Sequence, residues 1–274
     1  MNSHSTLSFS RYANAFTHGL AMEDLRSKVP AVFAGEAHES LSPKYTFIPT
    51  ERVLVGLMSA GFVPVEARQA GSRKGSPTHA RHVVRLRRRF ETVALRDSVP
   101  EVIFLNSHDG SSAYQLRLGL FRAVCTNGLI VSVGAFPAYC VAHRGDIVDE
   151  VVTAALEASE RFEALASRVE RMEQRRLFKD EQMQFAARAL ALRFPEPATA
   201  GMQPSQLLGS RRTEDVSDDL WTVFNRVHEN LLGGGLVRRT ETGRLSRTRR
   251  ITSIREDVRL NGRLWDLAEE VLAA

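Results

Sequence analysis

The middle of the chain, between about residues 44 and 142, is dominated by apolar and polar positions that alternate. Alternation with a period of two predicts strands with one face turned towards a core. The predicted strands are Lys44–Pro49, Phe62–Ala70, His79–Arg89, Val99–Asn106, Ala113–Val124 and Leu129–Ala142, the last of them broken by Gly134 and Pro137. Asp109-Gly110 and Asn127-Gly128 separate the later runs, and both dipeptides are strong hairpin signals. Their connections are too short for parallel crossovers, so the pattern predicts an antiparallel sheet.

From Asp146 onwards the apolar positions recur at spacings of three, four or seven. Such spacing indicates one long amphipathic helix, Asp146–Arg176, whose apolar face covers the sheet. Shorter helices are predicted at Ala21–Lys28, at Glu51–Ala60 after Thr50 as cap, at Asp180–Phe194, from the cap Ser217 to Gly233, and at Ser253–Leu272. The fold class is therefore α+β: an antiparallel sheet with a long packed helix, followed by a smaller helical C-terminal region.

Composition shifts divide the chain into four segments. A Pro/Gly linker at 195–204 is the strongest boundary signal. It separates an α+β core domain (44–194), preceded by an N-terminal arm (1–43), from a helical C-terminal region (205–274). That last region contains an arginine-rich segment, Arg238–Arg250, which reads as a loop.

The charge balance is basic: 274 residues carry a net charge of +5 and have a pI of about 9.6. Arginine outnumbers lysine by 33 to 4, and arginine forks suit phosphates. A GC-rich genome would give the same ratio without any function, so both explanations stay open. No signal peptide or long apolar run is present, which predicts a cytoplasmic protein with no membrane partner. Two cysteines fifteen residues apart do not indicate a disulfide framework.

Two arginine clusters are the candidate nucleic-acid-binding residues. They are Arg81, Arg85, Arg87, Arg89, Arg238, Arg239, Arg244, Arg247, Arg249 and Arg250. In a strand, Arg85, Arg87 and Arg89 project from one face, which calls for an anion to neutralise them. Phe90, Tyr114 and Phe121 stand nearby and could stack on single-stranded bases. The alternative is a solvated edge strand protected by charge, together with a disordered loop.

Polar side chains at the hairpin ends are the candidates for catalysis. They are Ser107, His108, Asp109, Cys125 and His143. A thiolate–imidazole pair or a divalent-ion site would use such groups. The turn roles of Asp, Asn and Gly explain most of them without chemistry, and no spacing matches a recognised metal-ligand or cofactor motif. The sequence therefore predicts no cofactor and no resident metal, and favours a protein that is not an enzyme.

Several stretches along most of the chain resemble one family, the YfjQ/YafZ/YubP-like proteins of prophages and conjugative plasmids, which form a domain-of-unknown-function group. The stretches are Phe33–Gly35, His38–Ser40, Tyr45–Thr50, Leu105–Ser112, Phe121–Arg122, Val124–Leu129, His143–Val148, Asp219–Thr222, Glu229–Asn230, Gly234–Leu236 and Thr248–Arg249. The family-motif residues at the two turns are Asn106, Ser107, His108, Asp109 and Gly110, with Cys125, Thr126, Asn127 and Gly128. The resemblance implies a mobile-element setting, and by association a role in DNA metabolism.

The leading hypothesis is a non-catalytic nucleic-acid-binding protein of a mobile element, acting in DNA recombination or transfer and favouring single-stranded DNA. Two alternatives come from other classes. One is an enzyme with a Cys/His/Asp site at the hairpin ends, and the other is an interaction protein or inhibitor of a host factor. The partners predicted are nucleic acid, and also a host protein or a second copy of the chain.

Overall fold

The structure is a computed structural model that describes residues 19–42, 45–71, 77–89, 98–122, 129–131, 139–141, 147–195, 201–240 and 242–274. The chain divides into two compact units. The first comprises 1–123 with 135–162, and the second comprises 124–134 with 163–274. Residues 163–194, which the sequence assigned to the core domain, group with the C-terminal residues. The Asn127-Gly128 turn lies outside the described residues.

The described residues form the helices and strands given next, and the places where they differ from the predicted elements follow below. The helices are α1 (Met22–Lys28), α2 (Thr50–Ser59), α3 (Val148–Ser159), α4 (Phe162–Gln174), α5 (Lys179–Arg193), α6 (Ser205–Leu208), α7 (Leu220–Gly233) and α8 (Ile254–Ala273). The strands are β1 (Phe62–Gln69), β2 (His82–Arg88), β3 (Ser98–Asn106), β4 (Tyr114–Arg122), β5 (Leu129–Val131), β6 (Tyr139–Val141), β7 (Val237–Arg239) and β8 (Leu245–Arg247). The α+β class predicted from the sequence is confirmed.

The first unit is built on an antiparallel meander. Its strands lie in the order β1-β2-β3-β4, and β6 pairs with β4. Leu105 pairs with Gln115 across the turn that contains Gly110, whose φ of +75° suits glycine. Helix α2 contacts β1, and α3 contacts β3 and β4. The two helices approach closely at Gly56, where an added Cβ would lie 2.8 Å from Cγ1 of Val148.

The segment before α2 differs from its prediction. Residues 45–49 form no strand, and Thr50 is the first residue of the helix rather than its cap. The side chain of Thr50 is fully buried and hydrogen-bonds to other side chains instead of the helix N-terminus. Tertiary contacts have therefore overridden a capping signal that is local.

The long helix predicted over Asp146–Arg176 is two helices, α3 and α4, with a break at Glu160 and Arg161. The hydroxyl of Ser159 donates to the carbonyl of Leu156 over 2.7 Å and accepts from Arg88 over 3.2 Å. A serine hydroxyl that bonds to its own helix competes with the main-chain ladder, which fits a break at this point.

The second unit packs α5, α7 and α8 against one another, and β5 against α8. Its core contains an aromatic stack in which Phe224 lies between Trp221 and His228, with Trp265 meeting Phe224 edge-on. Asp219, not Ser217, caps α7, because its carboxylate accepts from the amide of Thr222 over 2.8 Å. Ser217 supports this cap by accepting from the amide of Asp219.

Helix α8 begins after its cap Ser253 and continues through Asn261 and Gly262. The side chain of Asn261 is satisfied inside the unit, where its oxygen accepts from the amide of Ile130 and lies 2.8 Å from Nε2 of His228. Within the part of the chain that the structure describes, every helix is too short or too polar to span a membrane.

Candidate functional sites

A buried polar cluster joins the start of α2 to the ends of β2 and β3 in the first unit. His82 pairs with Asn106 in the sheet, and the turn after β3 carries His108. Thr50 reaches this point from α2. All four side chains are fully buried, and His82 and His108 lie with ring centroids 5.4 Å apart. Four polar side chains are thus removed from water together and must satisfy one another.

The hydrogen bonds of the cluster fix which atoms carry protons. Nδ1 of His82 donates to the carbonyl oxygen of Ala80 over 2.9 Å, so Nε2 of the neutral ring is an acceptor. The hydroxyl of Thr50, 3.0 Å away, donates to that nitrogen. With its only hydrogen spent, the Thr50 oxygen accepts from Nε2 of His108 over 3.0 Å and from the amide of Asn106 over 2.9 Å. The cluster is a chain of hydrogen bonds centred on one hydroxyl.

Burial lowers the pKa of His82 to about 4. The hydrogen bond to Ala80 and the charge of Asp109 raise this pKa, but by less than burial lowers it. His82 is therefore uncharged near neutral pH. Thr50 and His82 are placed like a nucleophile and its base, yet neither is accessible to a substrate. The arrangement stabilises the junction of helix and sheet and offers no open catalytic position.

The predicted catalytic residues that the structure describes differ in their exposure to solvent. Ser107 and His108 are fully buried, whereas Asp109 is exposed. The carboxylate of Asp109 accepts from the amide of Ser111 over 2.9 Å. Partial burial would raise the pKa of Asp109, but hydrogen bonds from Ser111 and Ser107 and the charge of Arg81 lower it below its usual value. Cys125 and His143 lie outside the described residues, as do Thr126, Asn127 and Gly128.

Two stretches of the family resemblance that are distant in sequence meet beside this cluster. The amide of His38 donates to the carbonyl of His108, and the amide of His108 donates to the carbonyl of His79. The rings of His38 and His79 meet edge-on at 5.2 Å. A cavity of about 450 Å³ opens here, lined by Phe33, Ala34, Gly35, Glu36, Thr78 and His79.

The first arginine cluster is largely turned inwards. Nε of Arg85 and Nε of Arg87 lie 2.5 and 2.8 Å from the two carboxylate oxygens of Glu101, which is fully buried. The two arginine side chains are only 5% and 6% exposed. The guanidinium group of Arg87 also lies over the ring of Phe121 at 4.7 Å. A carboxylate of the protein itself therefore offsets one of the two positive charges of Arg85 and Arg87, where the arginine row was predicted to require an external anion.

The other members of this cluster differ in exposure. Arg81 is half-buried and donates to the carbonyl of Ser111 over 2.5 Å, whereas Arg89 is exposed. Tyr114 is buried, with its hydroxyl donating to the carbonyl of Ile48, and Phe121 is 8% exposed. Phe90 lies outside the described residues.

The second arginine cluster forms a β-hairpin rather than the predicted loop. In its register, Val237 pairs with Arg247 and Arg239 pairs with Leu245. Gly243 occupies the turn with φ of +79°, and its amide donates to the carbonyl of Thr240. The six arginines of this basic hairpin are all exposed: Arg238, Arg239, Arg244, Arg247, Arg249 and Arg250.

The base of the basic hairpin is fastened to the second unit. The side-chain amide of Gln206 accepts from the amide of Val237 over 2.7 Å and donates to its carbonyl over 3.0 Å. Thr248 exchanges main-chain hydrogen bonds with Gly235 and Leu236. Arg193 donates to the carbonyls of Leu231 and Arg249. The six exposed arginines therefore belong to a hairpin whose base is held in place by hydrogen bonds.

Thr50 was predicted only as a helix cap, and His82, Glu101 and Gln206 were not among the predicted site residues. Glu101 had a usable signal, because an acidic residue inside a predicted strand beside a three-arginine strand suggests an internal ion pair. Thr242-Gly243, between segments rich in arginine and threonine, was a weaker signal for the hairpin. Within the described residues, no group of three or more His, Cys, Asp or Glu side chains could hold a metal ion.

Comparison with known proteins identifies a family and similar relatives of this chain. The family described as Domain of unknown function (DUF932) matches residues 37–254. The chain is 42% identical to UPF0380 protein YafZ of Escherichia coli (strain K12) over 257 residues, covering 92% of each chain. It is 41% identical to UPF0380 protein YfjQ of the same organism, again over 257 residues and 92% of each chain. No solved structure matches the chain.

Proposed function

This chain belongs to the DUF932 family, and we propose that it is a nucleic-acid-binding protein of mobile genetic elements that acts without catalysis in recombination or transfer of DNA. The observation that carries the proposal is the basic hairpin. Between residues 238 and 250, six arginines and one glutamate give a net charge of +5, and all six arginines are exposed. The mobile-element setting rests on the resemblance to prophage and plasmid proteins.

The hairpin has the properties that phosphate binding requires. The hydrogen bonds of Arg238, Arg239 and Arg247 go to neutral groups, namely the hydroxyl of Ser246 and the carbonyls of Gly243 and Gly235. Their positive charges are thus not cancelled by those partners. Arginine forks present several donors in a plane, which suits phosphate oxygens. Because the hairpin is anchored, little conformational entropy is lost when it meets a ligand.

The absence of catalysis is supported by the polar cluster of the first unit. Ser107 and His108 are buried, and Thr50 is hydrogen-bonded to three side chains. A reacting group must instead lie within hydrogen-bond reach of a bound substrate. Arg85 and Arg87, paired with Glu101, serve the stability of the sheet, so the proposal assigns phosphate binding to the basic hairpin.

The test measures binding of the full chain to labelled single-stranded DNA, duplex DNA and RNA by fluorescence anisotropy. Affinity should fall steeply as salt rises from about 50 to 200 mM, because bound phosphates release counterions. Arg244→Ser together with Arg249→Ser removes two exposed positive charges from the hairpin. This double variant should lower the slope of log K against log salt by roughly 1.5.

The matched control replaces two exposed arginines outside the hairpin, Arg171→Ser and Arg176→Ser. The net charge changes equally, so a general charge effect would reduce the salt slope in both double variants. The proposal requires that the slope of log K against log salt falls in the hairpin variant and not in the control variant. Absence of binding to every nucleic acid at low salt would refute it.

A further inference from the structure

We propose that the basic hairpin enters the minor groove of duplex DNA and that Leu245 inserts between two base pairs as a wedge. The inference rests on the proposed function and names its substrate as duplex rather than single-stranded DNA. Leu245 opens β8, and its side chain is 60% exposed although it is a large apolar group. Exposed leucines occur singly on many proteins, but this one stands among six exposed arginines.

The register of the hairpin places Leu245 between two positive charges. Residues that pair across an antiparallel ribbon share a face, as do residues two apart in one strand. Arg239 pairs with Leu245, and Arg247 follows it by two positions, so all three share one face of the hairpin. Both arginines donate to carbonyls of the hairpin or its base, of Gly243 and Gly235 respectively. Two anchored guanidinium groups therefore flank one apolar side chain.

This arrangement matches the way in which apolar side chains kink DNA. Proteins of the minor groove combine arginines, which favour the negative potential of the groove, with a Leu, Ile, Phe, Met or Pro side chain that unstacks a base step. Unstacking costs a few kcal/mol, and contacts between the bent DNA and the protein offset that cost. A hairpin held at its base by Gln206 and Arg193 can transmit this bending force, whereas a loose loop would yield.

The composition of the hairpin argues against single strands as its preferred ligand. Proteins that bind single strands stack bases on aromatic rings. Residues 237–250 contain no aromatic residue. Two of the three aromatics on which a preference for single strands would rest, Tyr114 and Phe121, lie in the core of the first unit, and the third, Phe90, lies outside the described residues. A leucine can push bases apart but provides no ring for stacking.

The first experiment measures bending of a duplex labelled at its two ends with a fluorescence energy-transfer pair. Wild-type protein should raise the transfer efficiency and bind the duplex more tightly than the corresponding single strand. Leu245→Ala should abolish the rise, weaken duplex binding about tenfold through lost apolar burial, and keep the salt slope. Leu245→Met, which keeps a large apolar side chain at this position, should bend the duplex as wild type does. Val216→Ala is the matched control, because Val216 is a 71% exposed apolar residue outside the hairpin.

The second experiment identifies the groove. Replacing guanine by inosine removes the amino group from the minor groove and leaves the major-groove acceptors in place. Binding should therefore be tighter to the inosine duplex. Equal affinity for the two duplexes, tighter binding to single strands, or unchanged bending by Leu245→Ala would each overturn the wedge while leaving the proposed function intact. Absence of binding to any nucleic acid would overturn both.

Discussion

The hydroxyl oxygen of Thr50 lies 3.0 Å from Nε2 of His82, and both residues are fully buried. The same oxygen accepts from His108 and Asn106, so a single atom satisfies three buried polar side chains. It ties the first turn of α2 to the ends of β2 and β3. Removing that atom should lower the free energy of unfolding, because each buried polar group that loses this hydrogen bond costs about 1–3 kcal/mol of stability.

Thr50→Val tests the weight of this atom. Valine has the same shape without the hydroxyl, so we expect the free energy of unfolding to fall by about 2–4 kcal/mol in urea denaturation followed by circular dichroism. Thr50→Ser is the matched variant, because it keeps the hydroxyl and loses one methyl group, at a cost of about 1 kcal/mol. If the two variants were equally destabilised, the methyl group rather than the hydrogen bonds would be the important part of Thr50.

The buried His82 should make stability depend on pH. Its pKa is 6.5 in the unfolded chain and about 4 in the folded protein. As pH falls from 6.5 towards 4, the unfolded chain takes up a proton that the folded protein does not. The free energy of unfolding therefore decreases over this window, by as much as about 3 kcal/mol from this residue, and the contribution is complete above pH 6.5.

His82→Gln separates this contribution from those of other groups that titrate in the same range. The variant should be less stable than wild type near pH 7, and the difference should shrink steadily as the pH is lowered to about 4. Nuclear magnetic resonance gives a direct check, since the ring of His82 should stay neutral through pH 6. A constant difference in stability between the two proteins would show that His82 titrates alike in both states.

This cluster illustrates what sequence patterns can and cannot predict. The turn at Gly110, the strands on both sides of it and the helix after Thr50 follow from local signals, and the structure contains them. Thr50 and His82 are 32 positions apart, and nothing in either segment indicates that the other is its partner. A cap signal and a strand position were each interpreted locally, whereas the long-range hydrogen bond decided the role of both.

Arg85, Arg87 and Glu101 form the second buried polar group of the sheet. Glu101→Gln should destabilise the protein by about 3–5 kcal/mol, because two nearly buried guanidinium groups would lose their counter-charge. Glu157→Gln, at an exposed position of α3, is the control and should change the free energy of unfolding little. Thermal and urea unfolding measure both. A mild effect of Glu101→Gln would contradict the prediction and mean that the ion pairs of Glu101 contribute little to the stability of the sheet.

The sequence predicted the charge of the basic hairpin but not its secondary structure. Six arginines, three threonines and a glutamate between residues 238 and 250 lack the apolar alternation that predicts strands. The pairing is instead fixed from outside, by Gln206, by Arg193 and by Leu236, whose amide donates to the hydroxyl of Thr248. These contacts join residues from three other parts of the second unit. The effect of these contacts could not be inferred from residues 238–250 alone. The exposure of the arginines could be, because charged side chains are seldom buried without a partner.

Gly234 controls how the basic hairpin leaves α7. It has φ of +73° and ψ of −158°, a conformation that residues with a Cβ rarely adopt. A Cβ at this position would lie 2.6 Å from the carbonyl carbon and 2.7 Å from the carbonyl oxygen of Arg249, and this main chain cannot rotate away as a side chain could. Gly234→Ala should therefore separate Gly235 from Thr248 and detach the base of the hairpin. We expect a loss of roughly 3 kcal/mol or more in stability, combining backbone strain with lost hydrogen bonds.

Gly243→Ala is the matched substitution at the other end of the hairpin, because Gly243 also has positive φ, +79°, but an added Cβ meets nothing within 4 Å. It should cost only about 1–2 kcal/mol of backbone strain. Amide hydrogen exchange distinguishes the two variants. The Gly235 and Thr248 amides should lose protection in Gly234→Ala and keep it in Gly243→Ala. If anchoring of the hairpin governs binding, duplex affinity should fall in the first variant far more than in the second, although both keep every arginine. Equal affinities would mean that charge alone, without a fixed hairpin, accounts for binding.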